Sequence, residues 1–330
     1  MNRTSFHRAL VPGAAALVLT LAACGGGDAG SDNAADGSAA SGSVKVDGSS
    51  TVFPMSVAAQ ELLNEQNPDV QVTVGESGTG GGFEAFCAGK TDISDASRPI
   101  KTDEDLEGPA CDAAGIEYTE LQVATDALTV VVHPDLDVDC LTVEELTALW
   151  APDSKVTNWQ DINPDFPDQE IKLFGPGTDS GTYDYMAGEV VDPDADEPAT
   201  RTDYEASEDD NVLVQGVSGT EGATGYFGYT YYEQNADTLK AVAIDSGNGC
   251  VEPSAETAQS GEYTPLSRPL FVYVSNKAYA DNAAVAEYVD FYIENLADIA
   301  EVGQFIPLSD ELYTATKDAL AGLSVYIYIY

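Results

Sequence analysis

Basic residues are scarce in this chain. Its 330 residues carry 13 Lys and Arg against 57 Asp and Glu, for a formal net charge of −44. With so few bases to neutralise a row of phosphates, the composition excludes nucleic-acid binding through an ordinary basic patch. The same shortage excludes electrostatic attachment to anionic lipid. Long apolar runs are also missing. The one candidate, Ala9 to Ala23, is about 15 residues, short of the roughly 20 that a spanning helix needs. Histidine is limited to His7 and His133, and no Cys-x-x-Cys pair occurs, which argues against a zinc site. No metal and no cofactor are expected. Against these absences stand 43% hydrophobic residues and 30 glycines, too much packing material for a disordered acidic tail. The length fits one large or two medium domains with ample core.

Arg3, His7 and Arg8 precede the apolar run, the pattern of a signal peptide over residues 1–23. The run closes on Leu21-Ala22-Ala23-Cys24, which resembles a bacterial lipobox. That resemblance implies cleavage before Cys24 and a diacylglyceryl thioether on its sulfur; a free thiol beside an ordinary cleavage site is the alternative. Apart from Cys24 and Asn33, residues 24–43 are Gly, Ala, Ser and Asp with almost no apolar bulk, and are expected to form a flexible linker. Processing removes Arg3 and Arg8 and no acid, taking the charge to −46. Cys87, Cys111, Cys140 and Cys250 remain, an even number that suggests two disulfides in an exported chain. Of the three pairings, Cys87–Cys111 with Cys140–Cys250 is the expectation.

Strand and helix signals alternate from Val44 onward. Val70, Val72 and Val74 follow period two, whereas Met55, Ala58, Ala59, Leu62 and Leu63 fall at helical spacing and stop at Asn67-Pro68. Leu121–Val132 and Leu270–Val274 are β-rich. Thr142 and Glu145 form a capping-box pattern, and Val285, Val289, Tyr292, Ile293 and Leu296 predict an amphipathic helix. Such alternation predicts an α/β fold with mainly parallel sheets. The 17 tyrosines include clusters at Tyr226–Tyr232 and Tyr326–Tyr330. They are assigned to packing and to an alternating C-terminal strand over Val325–Ile329.

Three polar, Gly-rich turns lead into helix signals: Gly48-Ser49-Ser50-Thr51-Val52, Ser77-Gly78-Thr79-Gly80-Gly81-Gly82, and Gly175 through Thr182. A helix start offers unpaired backbone N–H groups and about half a positive charge. Ser and Thr add hydroxyls, so such turns can hold an anion without basic side chains. Arg98, in Asp95-Ala96-Ser97-Arg98-Pro99, is one of five arginines, and its guanidinium fork matches an oxyanion. The alternative for it is a surface or interdomain ion pair.

Taken in order, Gly48–Pro54, Ser77–Phe83, Ala96–Ile100 and Gly175–Thr182, with Glu208–Val217 and Gly225–Tyr229, resemble the periplasmic-type phosphate-binding proteins, in their cyanobacterial-like branch. These are the solute receptors of the phosphate-specific ABC importer. The resemblance implies a two-lobed α/β clamp of type II-like build with its ligand cleft between the lobes. Residues 44–127 and 267–330 would form lobe 1 and residues 128–266 lobe 2. It implies phosphate held by Ser50, Thr51 and the Val52 amide, by Ser77 and Thr79, by Ser97 and Arg98, and by Ser180, Gly181 and Thr182. It further implies delivery to permease and ATPase subunits, a location outside the cytoplasmic membrane with contact only through the lipid anchor, and no catalysis. The enterobacterial pattern has an arginine four positions before the Ser-Gly-Thr serine and an aspartate where Ser97 falls. Here the first position is Pro176, which leaves Arg98 to supply the cation. The acceptor of the phosphate proton would be Asp179 or Asp95, since an ionised carboxylate accepts from protonated phosphate and repels sulfate.

Two other readings remain. Gly-rich helix starts also suit sulfate or molybdate. Thr178-Asp179-Ser180-Gly181 with upstream His133, Asp135 and Asp137 allows a serine hydrolase using Ser180, although His133 precedes Pro134 after a run of valines and fits the end of a strand better than a base.

Overall fold

The computed structural model describes residues 40–103, 106–178, 180–193, 195 and 198–326. The signal peptide, Cys24, the linker through residue 39, and Asp179 lie outside the described residues.

The strands in chain order are β1 (Gly42–Gly48), β2 (Val70–Val74), β3 (Ile93–Ala96), β4 (Tyr118–Val132), β5 (Cys140–Thr142), β6 (Lys172–Gly175), β7 (Glu205–Ala206), β8 (Ala223–Gly228), β9 (Lys240–Ala241), β10 (Ala243–Asp245), β11 (Cys250–Val251) and β12 (Ser267–Ser275). The main sheet runs β2-β1-β3-β12-β4-β8-β6-β7, with β9 also on β4, and a separate three-stranded sheet runs β11-β10-β5. The sheets are mixed rather than mainly parallel. Strand β1 pairs in parallel with β2 and β3, and β6 with β7 and β8. Strand β12, however, is antiparallel to both β3 and β4, and β4 is antiparallel to β8. The cause is the course of the chain: β4 carries it away from the first layers and β12 brings it back beside β4, in the opposite sense.

Of the five buried clusters among the described residues, the two largest divide this strand pair between them. The first gathers Val44, Val46, Met55, Leu63, Val70, Val285, Val289 and Tyr292, together with Leu121, Val123 and Ala124 of β4 and Leu270, Val272 and Val274 of β12. The second gathers Leu128, Val130 and Val132 of β4 with Leu141, Leu146, Trp150, Trp159, Tyr185, Tyr226 and Leu266. The stretch of β4 around Asp126 and the start of β12 therefore lie between the cores.

The helices follow their sequence patterns. Helix Phe53–Gln66 starts with Pro54 in its first turn and buries Met55, Ala58, Ala59 and Leu63. It ends at Asn67, whose side-chain amide donates to Ala40 O and Glu287 Oε1, each at 2.8 Å. The capping box forms as expected, with the Glu145 amide donating to Thr142 Oγ1 at 3.1 Å and the Thr142 amide to Glu145 Oε2 at 2.8 Å. Two expectations shift. The Val285–Leu296 helix breaks at Asn295 into Ala283–Glu294 and Leu296–Val302. The C-terminal run is helical through Tyr326, at the end of helix Asp310–Tyr326, and residues 327–330 lie outside the described residues. At Val325 and Tyr326, the described part of the expected strand, the preceding helical turns propagate. Both disulfides join the expected partners, Cys87–Cys111 and Cys140–Cys250. Among the described residues, no helix is long and apolar enough to cross a membrane.

Candidate functional site

Strand β1 ends at Gly48, whose φ of 149° and surroundings leave no room for a side chain: a Cβ there would lie 2.1 Å from Asp95 O. Gly82 is equally confined, since its Cβ would lie 2.5 Å from the Gly48 Cα. These motif glycines let β1, β3 and helix Gly78–Cys87 meet backbone to backbone, which brings three turns together. The Ser49 amide donates to Asp95 O at 2.9 Å, and the Ser77 amide to Asp47 Oδ1 at 3.0 Å. Thr79 Oγ1 accepts from the Ser97 amide at 3.2 Å and lies 3.1 Å from Ser97 Oγ.

The first turn leaves donors unused. The amides of Ser50, Thr51 and Val52 make no hydrogen bond to any described residue, while the Val52 side chain is fully buried and anchors the turn. Val52 is the N-cap of helix Phe53–Gln66, so its amide is one that a helix start leaves without an intrahelical partner, while Ser50 and Thr51 lie in the turn before it. The fourth segment arrives from the second core. Ser180 caps helix Gly181–Tyr185 by accepting the Thr182 amide at 3.2 Å. A Cβ on Gly181 would lie 3.5 Å from Thr51 Oγ1, so the first and fourth turns face each other. Ser50, Thr51, Val52, Ser77, Thr79 and Ser97 thus belong to one cluster of turns, with Gly181 and its neighbours Ser180 and Thr182 opposite.

The charged residues are disposed differently. Arg98 turns to Glu107, with Nη2 2.6 Å from Oε1, while Nη1 donates to Pro99 O at 3.1 Å. Burial pushes the Glu107 carboxyl up, but the hydrogen bond and charge of Arg98 prevail and hold it below the usual range. Asp95 is fully buried, and neither carboxylate oxygen has a partner in good hydrogen-bond geometry. Burial pushes its pKa up to about 7; the Ser56 hydroxyl opposes the rise and the Asp47 charge adds to it. Asp95 therefore has no solvent-facing oxygen to offer a ligand, and Asp179 lies outside the described residues.

One residue that motif reading passed over reaches the facing turns. Arg268, at the start of β12, donates from Nη2 to Thr51 Oγ1 at 3.0 Å and from Nε to Asp126 Oδ2 at 3.0 Å. Its Cζ sits 3.9 Å from the Tyr185 ring centroid. Asp126 is its register partner across β4 and β12. The available signal was numerical: beyond residue 23 the sequence has only Arg98, Arg201 and Arg268.

Among the described residues Ser180 and His133 share no hydrogen bond. Ser180 Oγ caps its own helix, and His133 follows the end of β4, where Nδ1 accepts the Asp135 amide at 3.2 Å. No group of acids, histidines or cysteines suited to a metal occurs among the described residues.

Two α/β cores joined by a pair of long strands, with polar turns from both meeting between them, have the build of a solute-binding protein. Residues 33–295 match the family model described as a PBP superfamily domain. The protein named SphX of Synechococcus elongatus is 47% identical over 275 residues, covering 82% of this chain and 79% of that protein. The phosphate-binding protein PstS of Staphylococcus saprophyticus is 42% identical over 306 residues, covering 92% of this chain and 90% of that one. Among solved structures, a "possible phosphate binding protein" from Planctomyces limnophilus is 45% identical with a TM-score of 0.80, covering 86% of this chain and 99% of that one. The chain belongs to the PBP superfamily, in the group that holds these SphX and PstS proteins.

Proposed function

We propose that this chain binds inorganic phosphate outside the cytoplasmic membrane and hands it to the permease and ATPase subunits of an ABC-type importer. The observation that carries the reading is the convergence of Ser/Thr/Gly turns: three are stitched together on the first core, and the fourth faces Thr51 from the second. The unpaired amides of Ser50 to Val52 suit an oxyanion, and hydroxyls of Ser50, Thr51, Ser77, Thr79, Ser97, Ser180 and Thr182 can complete its shell. Relatives that carry the name phosphate-binding protein support phosphate over other tetrahedral anions. Residues 44–127 with 267–330 and residues 128–266 act as two lobes, in keeping with the two cores. Ligand contacts from both stabilise the shut state. The subunit binds and releases without catalysis, and attaches to the membrane through Cys24 alone.

The net charge of −44 does not oppose this. At physiological salt the Debye length is about 8 Å, so distant surface acids weigh little against helix starts and hydroxyls inside a cleft. The test is calorimetric titration of stripped protein with phosphate, sulfate and molybdate. Saturable heat with phosphate and none with sulfate is the expected outcome. Heat with sulfate and none with phosphate would reject the assignment.

A further inference from the structure

We infer that Arg268, not Arg98, supplies the positive charge of the anion site, with Asp126 and Tyr185 as its positioning residues. This rests on the phosphate-binding reading and specifies which cation that site uses.

The arginines among the described residues differ in how their donors are spent. Arg201 is almost wholly buried, its Nε and Nη2 on Asp203 and its Nη1 within reach of Leu149 O, Ser154 Oγ and Val156 O. It is a structural rivet beside the second core, tied to the backbone of Leu149 and Val156. Arg98 has its charge met by Glu107, and the same carboxylate accepts the Lys101 amide at 3.1 Å. Releasing Arg98 to a ligand would strip an acid already held by two donors.

Arg268 is placed otherwise. Of its five N–H donors, Nε goes to Asp126 and one on Nη2 goes to Thr51, and Nη1 has no partner among the described residues. The Nε contact anchors the guanidinium from behind and leaves the Nη edge directed at the turn with three unpaired amides. The Tyr185 ring lies against the guanidinium and fixes its plane. That ring is itself tied down, since its hydroxyl donates to Pro265 O at 2.7 Å. The Arg268 and Asp126 side chains are each 15% exposed, so the charge sits in a partly desolvated setting where it acts strongly on an anion. The field of Arg268 also reaches the helix opposite: burial raises the Asp184 carboxyl, and Arg268 opposes that rise.

The Thr51 hydroxyl is a neutral acceptor, and an ionised phosphate oxygen is a stronger one. On binding, Nη2 exchanges the hydroxyl for a ligand oxygen and the Thr51 hydroxyl is freed to donate to the same anion. Arg268 touches Thr51 of the first core and Tyr185 of the second, so the exchange couples ligand arrival to contact between the cores.

The experiment is phosphate calorimetry on the intact chain and on variants R98Q, R268K, R268Q and the double variant R268Q/D126N, with thermal unfolding to confirm folding. The double variant removes both members of the ion pair, so no buried acid is left uncompensated. R98Q should bind within about threefold of the parent. R268Q and R268Q/D126N should weaken binding about 100-fold or more, and R268K, which keeps the charge without the fork, about tenfold. The assignment is overturned if the double variant stays within about threefold of the parent, or if R98Q falls as far as R268Q. If the parent binds sulfate but not phosphate, the phosphate reading fails and the same variants decide the role of Arg268 with sulfate. A parent silent to both anions and to molybdate would overturn both.

Discussion

Replacing Asp95 by Asn should change how stability depends on pH. Asp95 is fully buried on β3, beside Ser56 of the first helix and the ring residues Tyr288 and Tyr292, whose own ionisation its charge opposes. Its pKa rises from the ordinary 3.8 to about 7 in the folded chain, so the proton is held more tightly in the native state than in the unfolded one. The stability this contributes is fully present below about pH 4, declines as pH rises toward 7, and is gone above it. At about 1.4 kcal/mol per pH unit, the span amounts to about 4 kcal/mol, an order-of-magnitude figure. Asn carries no such proton. Chemical denaturation of both proteins with disulfides intact, from pH 4.5 to 8, should show the parent losing stability relative to the variant by a few kcal/mol and then running parallel to it. The many other acids titrate alike in both proteins, so they cancel in the difference. Parallel curves across the whole range would refute the claim that Asp95 is held protonated by burial.

Other outcomes follow from the same structure. Gly82→Ala, which forces a Cβ to within 2.5 Å of the Gly48 Cα, should cost about 1–3 kcal/mol by overpacking, visible as a lower denaturant midpoint. Removing Cys140 and Cys250 together should cost more than removing Cys87 and Cys111, about 5 against about 3 kcal/mol, because the bridged separation is 110 rather than 24 residues; equal losses in parallel unfolding curves would contradict a loop-entropy origin. Thr142→Ala should cost about 1 kcal/mol through loss of the capping box, measured the same way. Phosphate at about 100 times its dissociation constant should add about 2.7 kcal/mol to folding stability, read as a rise in the melting temperature that sulfate does not reproduce.

Elements governed by local periodicity were legible in the sequence. Helix Phe53–Gln66, strand β2 and the Thr142 cap depend on neighbours a few positions away, and each formed where its pattern lay. The sense of β12 was not legible, because it depends on where the chain returns from. The polar turns could be recognised as a set, but their assembly depends on the Gly48, Gly82 and Asp95 contact, which no local pattern encodes. Arg98 drew attention because it stands beside a motif serine, yet Glu107, nine positions on, takes it. Arg268 lies 217 positions from Thr51, and only the β4–β12 register brings it there.

The glycine contacts have a mechanical consequence. With no side-chain thickness between β1, β3 and helix Gly78–Cys87, Ser49, Ser77 and Ser97 are spaced by covalent geometry and hydrogen bonds rather than by deformable packing. In the proposed anion site, that side is a plate already assembled without the ligand. A preformed plate spends little ordering entropy on capture. In the proposed site the adjustable part of the affinity then resides in the facing Ser180–Thr182 turn, and substitutions there can retune the grip while the plate keeps its shape.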